Sequence, residues 1–316
     1  SILVDAGISN KRIEQGLNEI GRKGSELDGI MITHEHSDHV KGLGVLARKQ
    51  GVPIYGTKET LDEITKIKSL GEFPRELLHP IQPDADFSVG DLEIRPFKID
   101  HDAANPVAYR IQNDHASVAV ATDMGHYDQY IIDHLQGLDA LLLEANHDVR
   151  MLETGPYPYY LKQRILSDHG HLSNDNAGRL LNHILHDRLK QVVLGHLSRE
   201  NNYEELAYQT VRLEIDQGDH PYKASDFRIS VAKRDQIRNH HHIEEENMSM
   251  NKTIITVVGK DTVGIIAKVC TYLADSQINI LDISQTIVQE FFNMMMIVDM
   301  DHANKPFGTI CDDLEK

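Results

Sequence analysis

The run His34-Glu35-His36-Ser37-Asp38-His39 puts three imidazoles and an aspartate into six residues. Neutral imidazole and carboxylate are the donors that divalent zinc, manganese and iron share, and no cysteine lies nearby to favour a softer ion. So much polarity in one loop is costly to bury without a cation to hold it; the alternative is a solvated histidine-rich turn. Elsewhere, His101 stands in Lys98-Ile99-Asp100-His101-Asp102, Asp123 after Ala119-Val120-Ala121-Thr122, and His196 after Val192-Val193-Leu194-Gly195. Each falls where an apolar run gives way to a loop, the usual place for functional groups on a sheet. Taken alone, a histidine such as His196 reads as structural. The loop itself reads as a metal site.

The elements that must position these donors read as alternating strands and helices. Residues 2–4 form a buried strand, and Ser9 caps a helix with Ile13, Leu17 and Ile20 at helical spacing. Residues 27–32 are a strand ending at the histidine loop, residues 42–49 a helix, and residues 52–55 begin a further strand. Hairpins are expected over 87–94, with Gly90-Asp91 at the turn, and over 107–121 around Asn113-Asp114. Beyond them, strands at 140–143, 191–194 and 227–231 alternate with helices at 157–166, 174–186 and 203–215. Mixed hairpins and helical crossovers imply an α/β architecture.

The chain has 316 residues, 40% of them apolar and 26% charged, enough for two domains. No apolar run is long enough to cross a bilayer, so no membrane span is expected. The opening Ser1-Ile2-Leu3-Val4-Asp5 lacks a methionine and reads as a fragment without its true start. Both cysteines, Cys270 and Cys311, fall late, which excludes a disulfide framework before them and points to the cytoplasm. A net charge of -17 argues against a broad basic face for nucleic acid, leaving a local positive site made by bound ions.

The pattern breaks at residues 238–250, a polar, charge-blocked stretch read as a linker, with His240-His241-His242 solvated rather than ligating. Glu244-Glu245-Glu246-Asn247-Met248 reverse-translates to a purine-rich stretch before a methionine codon. That suggests two neighbouring reading frames joined, Met248 or Met250 being the original second start. Beyond it, the order β-α-β-β-α is expected, ending before a final strand.

The ordered set His-x-His-x-Asp-His, His101, Asp123, His196 resembles the metallo-β-lactamase superfamily over residues 1–232. The resemblance implies an αββα sandwich, here truncated at its N-terminus. His34, His36 and His101 would hold one ion, Asp38, His39 and His196 a second, and Asp123 would bridge them. Asp5, in Leu3-Val4-Asp5-Ala6-Gly7, matches the motif that braces the metal loop, an ordinary strand-end turn being the alternative. Asp123 stands where the best-known zinc lactamases have cysteine, and His36 where oxygen-reducing diiron members have glutamate. The span from Asp123 to His196 is too short for the inserted domain of large nuclease members.

Four segments, 99–110, 143–148, 167–174 and 194–202, resemble the WalJ/YycJ branch. The branch implies a cytoplasmic hydrolase related to tRNA-processing ribonucleases and acting as a 5′–3′ exonuclease on double-stranded DNA. Asp38, His171 and His147 become the catalytic candidates, the two histidines for bracing the centre or delivering a proton to the leaving oxygen. Capping or loop bracing beside Ser173 is their alternative. Arg150, Lys162, Arg164 and Arg199 are candidates for phosphate contact, though solvated charges are the commoner case. Tyr157-Pro158-Tyr159-Tyr160 offers either base stacking or a packed lead-in to a helix.

Val257-Val258-Gly259-Lys260-Asp261-Thr262-Val263-Gly264-Ile265-Ile266-Ala267 and residues 273–280 resemble an ACT domain, a small α+β ferredoxin-like module. The resemblance implies an amino-acid ligand at the turn around Gly264, where helix N–H groups meet a carboxylate, and pairing of two copies through their sheets. A plain tight turn is the alternative at Gly264, and Met294-Met295-Met296 reads as core. The expected organisation is a hydrolase domain (1–237), a linker (238–250) and an incomplete ACT domain (251–316). The function expected is a dinuclear zinc, manganese or iron hydrolase, a phosphodiesterase or nuclease on DNA. The alternatives are an amino-acid-responsive regulatory protein and a hydrolase of small esters or thioesters.

Overall fold

Four short apolar runs, β1 (Ile2–Val4), β2 (Gly29–Met31), β3 (Ile54–Thr57) and β4 (Leu78–Ile81), pair in parallel in that order. The computed structural model describes residues 1–233, 252–260, 262–288 and 291–314; the expected linker and reading-frame junction lie outside them. Parallel neighbours need crossovers, and the helices Asn10–Glu19, Leu43–Gln50 and Lys58–Lys66 lie between successive strands. Ile13, Leu17, Leu43, Leu46, Leu61 and Ile64 from these helices pack with Ile30, Ile32 and Ile54 in one cluster. Each such side chain, fully buried, contributes about 1.5–3 kcal/mol.

Two of these elements were not expected. β4 contains Pro80, which argues against a strand, but β4 is the sheet's edge, where a missing N–H is tolerated. The helix Lys58–Lys66 starts at Thr57, whose side chain accepts from the Thr60 N–H. Ser9 stands at the expected cap of the first helix, but its side chain makes no capping hydrogen bond.

The second sheet has seven strands. β5 (Phe87–Val89), β6 (Leu92–Lys98), β7 (Val107–Gln112) and β8 (Ser117–Ala121) form an antiparallel meander. β9 (Ala140–Glu144), β10 (Gln191–Gly195) and β11 (Arg228–Val231) continue it in parallel from β8. The helices Gln129–Leu135, Asn174–Ile184 and Glu204–Asp216 cover one face of this sheet, with Ile131, Leu180, Leu181 and Val211 packed on Leu141, Leu143, Val192 and Leu194. A separate cluster joins Met31 and Ile81 of the first sheet to Ile94, Val107, Tyr109 and Ile111 of the second. The layers are therefore helix, sheet, sheet, helix: the expected αββα sandwich. The Tyr109 hydroxyl, fully buried there, donates to the Ile32 carbonyl at 2.7 Å.

The chain divides into two compact units, residues 1–153 with 157–239, and residues 154–156 with 240–316. In the second, β12 (Lys252–Lys260), β13 (Asn279–Val288) and β14 (Phe291–Asp299) pair antiparallel in the order β12-β14-β13. Leu273 and Ile310, from the helices Ile265–Asp275 and Phe307–Leu314, pack on Phe292, Met294, Met296 and Val298. Met294 and Met296 are thus core. Gly264 caps the first of these helices at φ 98°, a left-handed backbone that glycine enters most readily. Among the described residues, no helix is long and apolar enough to cross a membrane.

Candidate metal centre

Strand ends build the site. Asp5 follows β1, the histidine loop follows β2, Asp123 follows β8 and His196 follows β10. Asp5, Asp123 and His196 all have left-handed backbones, at φ 57°, 60° and 57°. Aspartate and histidine tolerate this region better than most residues, yet each placement costs on the order of 1–3 kcal/mol. Asp123 is additionally almost wholly buried.

Close backbone approach seats the histidine loop. A Cβ on Gly7 would lie 1.5 Å from the Asp38 carbonyl oxygen, and the Ala6 N–H donates to the His39 carbonyl at 2.7 Å. Gly7→Ala must therefore move the loop bearing Asp38 and His39. The expected outcome is a melting temperature lower by roughly 5 °C or more, with reduced zinc uptake. Thermal unfolding and metal analysis check this, and a wild-type result in both would contradict it.

Three side chains and one backbone carbonyl tie down one end of each of four imidazoles. His34 Nδ1 lies 3.0 Å from Thr33 Oγ1, and His39 Nδ1 lies 2.8 Å from Asp5 Oδ2. His101 Nδ1 faces the Gly170 carbonyl at 3.1 Å, and His196 Nδ1 faces Glu144 Oε1 at 2.7 Å. Each ring thereby presents Nε2 inward, the arrangement that fixes a ligating histidine's tautomer and orientation. Asp5 also accepts from the Thr33 N–H and hydroxyl at 2.9 and 2.8 Å, so it binds the loop's base to one of its rings.

The inward atoms converge. Ligand atoms lie within 4.8 Å of one another in His34–His36–His101, in Asp38–His39–His196, in His34–His39–Asp123 and in Asp123–Glu144–His171–His196. Asp123 Oδ2 is 3.3 Å from His39 Nε2, and its Oδ1 is 3.5 Å from His196 Nδ1 and 3.7 Å from His101 Nε2. Among the described residues, His34 Nε2 and Asp123 Oδ2 are buried without a hydrogen-bond partner. Orphaned donors of this kind, in an all-histidine and carboxylate set, fit divalent cations.

Sequence reasoning missed Glu144. It ends the apolar run of β9 and is wholly buried. Its Oε1 meets His171 Nδ1 at 2.9 Å and His196 Nδ1 at 2.7 Å, while Oε2 accepts from the Met124 and Leu172 N–H groups, both at 3.1 Å. An acid closing a buried strand was the available signal, because a buried carboxylate demands partners. Asn146 follows it and donates from Nδ2 to the His196 carbonyl at 2.9 Å, holding that left-handed turn.

Burial opposes charge on these histidines, and the carboxylates decide the outcome. Desolvation, then the neighbouring rings of His39, His36 and His101, holds His34 far below its usual range. For His39 burial is outweighed by Asp5 and Asp123, which push it up to about 9. His196 is raised against burial by Asp123, Asp38 and Glu144, and His171 is raised against burial mainly by Glu144. The His196 contact holds the Asp38 carboxyl well below the usual carboxylate range.

The centre opens into a cavity of about 390 Å³ lined by His36, Asp38, Asp123, His171, Arg164 and Arg199, among others. Arg164 is ion-paired to Asp102 beside His101, and Lys162 Nζ donates to the Glu153 carbonyl. His147 does not line the cavity. It is 1% exposed, both ring nitrogens lack a hydrogen-bond partner among the described residues, and burial pushes it down to about 4. Its charge change should be visible in stability. With an unfolded value near 6.5, the native state resists protonation between pH 6.5 and 4. Stability is then fully present above pH 6.5 and falls by about 3 kcal/mol toward pH 4. His147→Leu should flatten that slope in urea unfolding across this range; an unchanged slope would contradict it.

Residues 1–197 match the β-lactamase superfamily domain, and residues 251–316 match the ACT domain. The chain is 43% identical over 218 residues to exodeoxyribonuclease WalJ of Streptococcus pneumoniae, covering 69% of this chain and 81% of that protein. Over 66 C-terminal residues it is 65% identical to a UPF0237 protein of Bifidobacterium longum, covering 21% of this chain and 73% of that protein. The metallo-β-lactamase fold protein YhfI of Bacillus subtilis shares the fold at a TM-score of 0.53 and 21% identity, over 73% of this chain and 84% of that one. The chain therefore belongs to the β-lactamase superfamily, in its WalJ/YycJ branch, and is a metal-dependent hydrolase carrying a C-terminal ACT domain.

Proposed function

We propose that the chain is a dinuclear phosphodiesterase that degrades DNA from its 5′ ends. The reading is carried by the convergence of two donor triples on buried Asp123, beside a cavity bearing Arg164 and Arg199. The 43% identity to an exodeoxyribonuclease supports DNA as the substrate. In this reading His34, His36 and His101 hold one ion, Asp38, His39 and His196 the other, and Asp123 serves both; zinc, manganese and iron all suit the set. When bound, the ions supply a nucleophile from water at neutral pH and neutralise phosphoryl charge.

The chain's own groups do the rest. Asp5 and Glu144 fix the rings of His39 and His196. Asp38 lines the cavity and, kept ionised by His196, orients water rather than storing its proton. His171, held by Glu144 at the cavity wall, donates a proton to the leaving oxygen. His147 has no access to the cavity and takes no part in proton transfer.

Manganese-loaded or zinc-loaded protein with 5′- and 3′-labelled duplex DNA tests this, with bis-p-nitrophenyl phosphate alongside. Early release of the 5′ label is expected. Hydrolysis of the small diester with untouched DNA would overturn the DNA reading, and hydrolysis of small esters or thioesters alone would overturn phosphodiester chemistry.

For the C-terminal part we propose the division 1–237, 238–250 and 251–316, an amino-acid ligand at the Gly264 turn, and pairing of two copies through the ACT sheets. The same reading places the protein in the cytoplasm. Calorimetric titration with amino acids, run beside the nuclease assay, separates the roles. Binding that alters hydrolysis marks a regulator, whereas binding without effect favours two reading frames merely joined.

A further inference from the structure

The wall of the cavity holds an aromatic feature that the metal chemistry does not use. Tyr157 lines the cavity, and so do Leu161, Arg164 and Ile165 of the helix Tyr159–Ile165. Tyr159 and Tyr160 on this helix are 77% and 74% exposed. Single exposed aromatics need no explanation by themselves, but helical geometry separates these two. Tyr160 precedes Arg164 by one turn, so both stand on the flank of the cavity-lining face. Tyr159, two residues before Leu161, lies about 200° around the helix from it. Arg164 is held at this edge by its ion pair with Asp102, next to His101.

Resting on the nuclease reading above, we propose that Tyr157 and Tyr160 form a stacking platform for the bases of the strand entering the metal centre, with Arg164 on its phosphate. The occupant is a nucleic-acid strand because the platform is continuous with the cavity that would hold the scissile phosphate. The chain as a whole is acidic, at -17, so it offers no broad long-range attraction for DNA, and contacts indifferent to net charge add to those of the centre and Arg164. Stacking is such a contact, since every base has a flat face and covering an exposed tyrosine removes apolar area from water. Such a platform favours unpaired over paired terminal nucleotides.

The test uses the full manganese-loaded chain and a duplex with a short fluorescein-labelled 5′ overhang. Tyr160→Ala should raise KM for this DNA about ten-fold or more, with a smaller change in kcat. Tyr160→Phe, which keeps the ring, should restore the wild-type KM, and Tyr159→Ala should leave both constants unchanged. A wild-type KM in Tyr160→Ala, or an equal rise in Tyr159→Ala, overturns the platform while leaving the nuclease reading intact. If the unaltered protein cleaves bis-p-nitrophenyl phosphate but no DNA, both fall together.

Discussion

Asp123→Ala is expected to reduce hydrolysis of bis-p-nitrophenyl phosphate by about 10²–10⁴-fold, the equivalent of breaking a buried charge cluster. The carboxylate is almost wholly buried and has four histidine rings within 3.7 Å. Its removal leaves His39 and His196, both raised by it, without a shared counter-charge. Metal content per chain should fall in parallel. Steady-state kinetics and metal analysis on one preparation check this; full activity with full metal would remove Asp123 from the centre. Asp123→Asn keeps the size and should lose nearly as much activity, because an amide cannot balance cationic neighbours.

The second large effect concerns Glu144. Its four contacts span three loops: the turn after β8, the segment before the helix Asn174–Ile184, and the end of β10. Glu144→Ala should lower the melting temperature by roughly 6 °C or more, as loss of one partner in a buried ionic group costs about 3–5 kcal/mol. Activity should fall by about 10–100-fold through misorientation of His196 alone, and further if His171 delivers the proton. Glu144→Gln separates the two: it can still accept from a backbone N–H, so stability should recover more than kcat. Equal recovery of both would assign Glu144 to stability only.

The α/β class follows from patterns that a chain displays locally, whereas the αββα layering was implied by the family resemblance. Alternation of short apolar runs with amphipathic helices marked most strands of both sheets, and Gly90 with Asp91 marked a hairpin turn that the structure contains. Where local pattern misled, tertiary position decided: Pro80 argues against a strand until β4 is known to be an edge.

The histidine loop was legible as a candidate metal site because metal chemistry restricts residue choice, and a cluster such as His34 to His39 has few other uses; the later candidates came through the family resemblance. Which nitrogen of each ring points inward was not legible, since it depends on Asp5, Thr33, Gly170 and Glu144, brought from distant positions. The same limit hid Glu144 and the burial of His147. In sequence they are an acid and a histidine three residues apart, but the turn after β9 leaves one gripping two rings of the centre and the other closed off from the cavity. Local sequence specifies which groups a chain can offer. Direction and burial come from packing between segments far apart in the chain, and only the folded structure carries them.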